Sequence, residues 1–353
     1  MINYLETLNP IIREYYSILS CEFPEFLIDY INTPRMQKLD KISVSCGMPY
    51  SKMFKVDFWY STLEHSIAVA LIIWHFTKDK KQTLAGLFHD ISTPVFKHCI
   101  DYMNEDAERQ ESTEDLTKAM ILESDEIMEL LMRDNIKVEE VSNYHLYSIA
   151  DNDIPRLSAD RLEYTIINGL GQVKKMWDLE EVKEIYDDII IVENEDKALE
   201  MCFKDLKIAD KFTKVMSELS VIYTEDKRRF GMQFLGDIMK RMSSVGLISV
   251  SDLYELSEKD VIEMIKSCNK FNISTCFNLW QNSLDVKVSD KEIKDKYCVN
   301  VGSKKRYIDS LVKTNNTVER ISKISKQAKK YIDSCINYDF DRYIYMDFNF
   351  KDE

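Results

Sequence analysis

The chain has 353 residues, 45% of them hydrophobic and 11% aromatic, enough to build a substantial core and to exclude wholesale disorder. Only 8 glycines and 6 prolines interrupt it, too few for a sheet sandwich or barrel, and neither GxxxxGK[ST] nor GxGxxG occurs to cradle phosphates. The net charge of −14 makes duplex nucleic acid an unlikely partner by repulsion, yet leaves room for a small anion held by a metal and a few local cations.

Residues 1–32 place Leu, Ile, Phe and Tyr at helical intervals around Pro10 and Pro24, which predicts two short helices. Pro34 opens RMQKLDKI, a predicted helix ending near Cys46-Gly47, and residues 48–62 read as irregular. From Thr62, LEHSIAVALIIWHF predicts a buried helix, KQTLAGLFHDI a second, and VFKHCIDYM a third after Pro94. The acidic interval 103–118 reads as a surface loop, and helical periodicity resumes over 120–133. A turn at Asp151–Pro155 leads into a helix over SADRLEYTIINGL, and helices with charged faces are expected across 178–285. Near the end, RYIYMDFNF (342–350) alternates with period two and predicts a strand, with KYCVNV (296–301) as its partner.

The predicted fold class is therefore mainly α: a helical core over 1–200, then a mostly helical region over 201–353 carrying a short β element. The boundary is placed near 190–205. The eight cysteines are scattered without a CxxC pair, and no apolar run reaches membrane-spanning length. The opening MINYLETLNPIIREYY lacks the features of a signal peptide. The expectation is a cytoplasmic protein with reduced thiols and no membrane partner.

Of five histidines, His89 is followed directly by Asp90 in an otherwise apolar segment, LAGLFHDI. Burying such a pair is costly unless a partner compensates, and a divalent cation is the most effective one. His65, in LEHSIAVALI, sits on a helix that could pack against the first, and Asp160, in SADRLEY, is the candidate fourth ligand from a third helix. Borderline divalent ions accept such mixed N/O sets, and helical bundles commonly host them. Taken singly, each feature has a plainer reading. His89–Asp90 could be a local helix-end pair, and His98 with Asp101 an ordinary i, i+3 pair. His75 and His145 read as core or boundary histidines, Lys304, Lys305 and Arg306 as a solvated face, and the aromatic strand as packing.

The order H…HD…D, carried by SxxEHS, AGLFHD and SADRLEY, resembles the HD-domain metal-dependent phosphohydrolase superfamily. The closer match is to its deoxynucleoside-triphosphate triphosphohydrolase, or dGTPase-like, branch. TPRMQKLDKISVSCG (33–47) is similar to that branch's TPxFQRLRxIxQxG helix, HDISTPVFKHCID (89–101) to HDxGHxPFxHxxD, and Asp160, Arg161 and Tyr164 to D[RK]xxY. KKRYIDSL (304–311) matches a basic segment of relatives more weakly. The likeness covers roughly residues 30–170 well and implies an HD-domain helical bundle.

Carried over position by position, the resemblance implies metal ligands His65, His89, Asp90 and Asp160 for a divalent ion (Mn, Fe, Mg, Co, Ni or Zn). It implies that His98 donates a proton to the leaving oxygen and that Asp101 orients it. Arg35, Gln37, Lys38, Arg161 and Tyr164 become candidates for holding a nucleotide substrate. The sequence departs from the pattern at Thr93 and Thr113, where the branch carries histidines, and at Thr62, where it commonly carries arginine. The metal set is untouched by these changes; triphosphohydrolysis is weakened by them. The expected reaction is release of triphosphate from a deoxynucleoside triphosphate. The alternatives are hydrolysis of a nucleoside monophosphate, cyclic nucleotide or RNA phosphodiester, or a nucleotide-sensing module with weakened turnover. Self-association into a homo-oligomer is expected by analogy with relatives.

Overall fold

The computed structural model describes residues 4–109, 116–315 and 317–351. At its centre lies the helix Thr62–Thr77. Ser61 caps it, its hydroxyl accepting from the Glu64 N–H at 3.1 Å while the Glu64 carboxylate accepts from the Ser61 N–H. Every residue from Thr62 to Ile73 is buried, as expected of a helix apolar all round. It packs against Lys80–Phe88, Ala159–Ile167 and Pro10–Leu19. Asp79 and Ser158 cap the first two of these partners. Two long helices, Leu206–Tyr223 and Asp226–Ser244, complete the bundle, the second lying on the short helix Cys99–Met103.

Strands β1 (Ile189–Glu193) and β2 (Leu199–Phe203) form an antiparallel hairpin. Later strands are β3 (Lys287–Ser289), β4 (Tyr297–Val299), β5 (Leu311–Lys313), β6 (Val318–Arg320) and β7 (Tyr343–Met346). One sheet runs β1-β2-β5-β6, with β2 and β5 parallel; the other runs β3-β7-β4. The predicted pairing of the two C-terminal segments is present, Tyr297 opposite Met346 and Val299 opposite Ile344. The mainly α class with a small β part is the observed one.

Several local expectations are corrected. The helix from Pro34 stops at Lys38, followed by one 3-10 turn over Leu39–Lys41. The backbone beyond it turns to Tyr60–Thr62 instead: Val44 N–H donates to the Tyr60 carbonyl at 3.2 Å and Thr62 N–H to the Ile42 carbonyl at 2.8 Å. The helix expected to run through His89 and Asp90 ends at Phe88, so His89 is its C-terminal cap and Asp90 lies beyond. VFKHCIDYM is helical only over Cys99–Met103, because Phe96 and Lys97 take left-handed φ of 62° and 44°. The β1–β2 hairpin interrupts the stretch read as helical, and its signal was the β-branched run Ile189–Val192. Among the described residues no helix is long and apolar enough to cross a membrane, and the eight cysteines are unpaired.

Candidate metal centre

Three segments bring four side chains to one point. His65 comes from the central helix, His89 and Asp90 from the end of its neighbour, and Asp160 from the first turn of Ala159–Ile167. His65 Nε2 is 3.1 Å from His89 Nε2 and 3.2 Å from Asp160 Oδ1, and His89 Nε2 is 3.8 Å from that oxygen. Donor atoms of these three residues all lie within 4.8 Å of one another. Asp90 Oδ2 stands 3.9 Å from His65 Nε2 and 3.7 Å from His89 Nε2.

The far nitrogens are held so that both Nε2 atoms face inward. His65 Nδ1 bonds the buried Glu163 carboxylate, and His89 Nδ1 donates to the Gly86 carbonyl at 2.7 Å. Such outer partners fix ring orientation and tautomer at metal sites. Glu163 in turn accepts from Tyr60 at 2.7 Å and Tyr15 at 3.3 Å. Two imidazoles and two carboxylates suit a borderline dication, and the residues present fit one.

Electrostatics follow from these contacts. Burial pushes the His65 imidazole down, but Glu163 and Asp160 outweigh it and raise its pKa to about 10. Burial would lift both carboxyls, yet Lys97 with His89 and His65 holds Asp90 well below the usual range, and the two imidazoles do the same for Asp160. Lys97 Nζ sits 2.6 Å from Asp90 Oδ2, next to the candidate ligands.

The centre opens into a cavity of about 890 Å³. His98 lines it, with Nδ1 bonded at 3.0 Å to the buried Asp101 carboxylate behind. Burial, Arg306 and Lys97 depress the His98 pKa, and Asp101 opposes them. Tyr164 lines the cavity too, its hydroxyl pushed up to about 12 by burial. Arg161 lies on the wall but holds the preceding turn: Nε donates to the Arg156 carbonyl at 2.7 Å and Nη2 to Asn152 Oδ1 at 2.6 Å.

Arg35, Gln37 and Lys38, read as substrate-holding candidates, do not line the cavity. Arg35 pairs with Glu255 at 2.6 Å, Gln37 donates to the Ile31 carbonyl and Lys38 to the Thr93 carbonyl, both at 2.8 Å. Of the basic segment, Lys304 and Arg306 reach the wall, while Lys305 donates to the Ile336 carbonyl instead. Thr93 lines the cavity, Thr62 is buried at the central helix start, and Thr113 falls outside the described residues.

Sequence reasoning missed Glu163, Lys97, Arg228 and the pair His145–Asp151. Glu163 was readable as the i+3 neighbour of Asp160 on one helix face. Arg228 comes from a distant helix, and only folding brings it to the cavity. Its Nε has no hydrogen-bond partner among the described residues, and its guanidinium lies 5.4 Å from the Phe54 ring centre. His145, read as a core or boundary residue, lies on the cavity wall; His75 is the one at a helix end, against Phe76 and Tyr186.

No protein-family model matches the chain. Among curated proteins, the uncharacterized protein YdhJ of Bacillus subtilis (strain 168) is 22% identical over 271 residues, 76% of this chain and 78% of YdhJ. A solved structure of a hypothetical protein from Aquifex aeolicus is 17% identical, with a TM-score of 0.64 over 92% of this chain and 93% of that one. A phosphohydrolase from Bacteroides thetaiotaomicron is 12% identical, with a TM-score of 0.59 over 92% of this chain and 96% of its own. At these identities the likeness is one of fold: nearly the whole chain adopts an architecture that a phosphohydrolase also uses.

Proposed function

We propose that this chain is a divalent-metal-dependent phosphohydrolase acting on a nucleotide, and specifically that it hydrolyses a deoxynucleoside triphosphate to deoxynucleoside and triphosphate. The observation that carries the reading is the convergence of His65, His89, Asp90 and Asp160 at the floor of a cavity. A fold shared with a phosphohydrolase supports it. So do the cations Lys97, Arg228 and Arg306 on the wall of a cavity in a chain of net charge −14. Their local field favours an anionic ligand that the surface as a whole repels. A volume of about 890 Å³ suits a ligand of nucleotide size rather than a lone phosphate.

A dication, which His65, His89, Asp90 and Asp160 would hold, would supply a lowered water pKa and polarisation of a phosphoryl oxygen. The remaining work belongs to the chain. Asp101 keeps the Nδ1 proton of His98 in place, and the doubly protonated imidazolium donates its Nε2 proton to the oxygen that leaves phosphorus, the depressed pKa making it the stronger acid. Arg228 and Arg306 hold the substrate's anionic oxygens, and Tyr164 offers a neutral hydroxyl beside them.

Thr62 and Thr93 favour a second reading, a smaller phosphoester such as a nucleoside monophosphate or cyclic nucleotide. Both stand where the resembled branch carries a group suited to a polyphosphate. Mass-spectrometric analysis of products from all natural nucleotides, with Mn²⁺, Mg²⁺, Fe²⁺ and Co²⁺, separates the readings. Inorganic triphosphate supports the first, free phosphate or a linearised nucleotide the second, and no hydrolysis with any metal removes both.

A further inference from the structure

Among the described residues, Lys97 is the cavity cation bonded to a candidate metal ligand: its Nζ donates to Asp90 Oδ2 at 2.6 Å. The same carboxylate oxygen faces both imidazoles, 3.9 Å from His65 Nε2 and 3.7 Å from His89 Nε2. An ammonium so placed fixes a positive charge at the rim of the centre. Asp90 takes one of its three N–H groups, and the described residues offer no hydrogen-bond partner to the other two. The side chain is only 11% exposed, so leaving those two unmet is costly. An anionic oxygen in the cavity would satisfy them.

The backbone is bent to bring the ammonium there. Phe96 and Lys97 both hold left-handed φ, 62° and 44°, a conformation that non-glycine residues seldom take twice in succession. Phe96 is fully buried, its ring 6.3 Å from that of Tyr50, and so anchors the bend in the core. Beyond it Lys97 and His98 both line the cavity. Strain of this kind persists only where the surroundings enforce it, and it gathers at functional sites.

We infer that Lys97 is a further catalytic residue of this site, its ammonium holding a non-bridging oxygen of the phosphoryl group under attack while Asp90 fixes its position; the inference rests on the phosphohydrolase reading. In the transition state of such a transfer, charge is spread over the equatorial oxygens of the phosphoryl group. A cation already in place there stabilises that charge without having to reorganise. Lys97 gives up no proton and forms no covalent bond; the leaving oxygen takes its proton from the His98 imidazolium. Because the two residues are consecutive on one bent segment, cation and proton donor address the same phosphorus.

The test uses full-length protein with Mn²⁺, the nucleotide it turns over best, and the variants Lys97→Met, Lys97→Gln and Lys97→Arg. Both neutral variants should lose roughly 10²–10³-fold in kcat, and Lys97→Arg, which keeps the charge, should recover part of that loss. If Lys97→Met does not fold, Lys97→Gln, which still offers Asp90 a hydrogen bond, carries the test. Two readouts do not depend on turnover. Orthovanadate, a mimic of five-coordinate phosphorus, should bind the neutral variants roughly ten- to hundredfold more weakly than the parent by calorimetry. Mn²⁺ affinity by chelator competition should hold or tighten, because the ammonium no longer competes for Asp90 Oδ2. An active parent whose neutral variants keep kcat and vanadate affinity within about threefold overturns the role of Lys97 and leaves the phosphohydrolase reading standing. Variants that lose Mn²⁺ together with activity overturn it too, and make the lysine a structural partner of Asp90. A parent that hydrolyses no nucleotide overturns the phosphohydrolase reading, and the role of Lys97 falls with it.

Discussion

Glu163 shows how a side chain that never meets the ligand can set what the site holds. Its carboxylate grips His65 Nδ1 and is gripped by Tyr60 and Tyr15, so the imidazole has one orientation. Glu163→Gln keeps the shape and removes the charge. We expect roughly ten- to hundredfold weaker metal affinity by chelator competition. Glu258 gives a different residue-scale test. It is fully buried, and its Oε1 accepts from the Ser43 N–H at 3.2 Å, with the Tyr50 hydroxyl also beside its carboxyl. Burial raises its pKa from the ordinary 4.5 to about 8. Between those values the folded chain keeps a proton that the unfolded chain has lost, so this group's contribution to stability falls as pH rises through that window. Glu258→Gln should therefore gain stability over the parent at pH 9 relative to pH 5 in urea titrations; an equal difference at both pH values would contradict it. The four candidate ligands were legible as a converging set because HD and SADRLEY are local strings. Glu258 and Arg228 were not, because each acquires its environment from elements far away in the chain, Ser43 and Phe54 respectively.

Elements act here by holding short, irregular pieces in place. The segment carrying His98 and Asp101 has left-handed residues at Phe96 and Lys97 and only one and a half turns of helix after them. It is pinned by Asp226–Ser244, whose Gly236 lets the backbones meet: a Cβ there would lie 2.9 Å from both the Cys99 carbonyl oxygen and the Met103 nitrogen. No side-chain rotation relieves backbone contacts, so Gly236→Ala must push the two elements apart. We expect a loss of about 1–3 kcal/mol of stability by urea denaturation, together with reduced turnover and unchanged metal content. Loss of metal alongside turnover would place the damage elsewhere. Long helices with clean caps, such as Thr62–Thr77 behind Ser61, were readable from pattern alone. The helix expected to run on from Pro34 was not, because tertiary pairing of Ile42–Val44 with Tyr60–Thr62 overrides local propensity. The β1–β2 hairpin was hidden in the same way, its apolar run being readable as either state until β5 pairs alongside.

On the scale of the whole molecule, chemistry and fold are divided between distant parts of the chain. All four candidate ligands precede residue 200, yet Arg228, Lys304 and Arg306 come from beyond it to line the same cavity. The sheet crosses that point as well: β1, which precedes it, pairs with β2, whose Cys202 and Phe203 pair in parallel with Leu311 and Val312. A fragment ending at residue 200 would leave β2 incomplete and the long helices absent, so it should lack a cooperative thermal transition; a sharp one would show an independent unit. The central claim remains that four side chains gather on one dication. Anomalous diffraction from crystals of the protein grown with Mn²⁺ tests it most directly. The account predicts one peak per chain, about 2.0–2.4 Å from His65 Nε2, His89 Nε2, Asp90 and Asp160. No peak there, or a peak that omits Asp160, would contradict it.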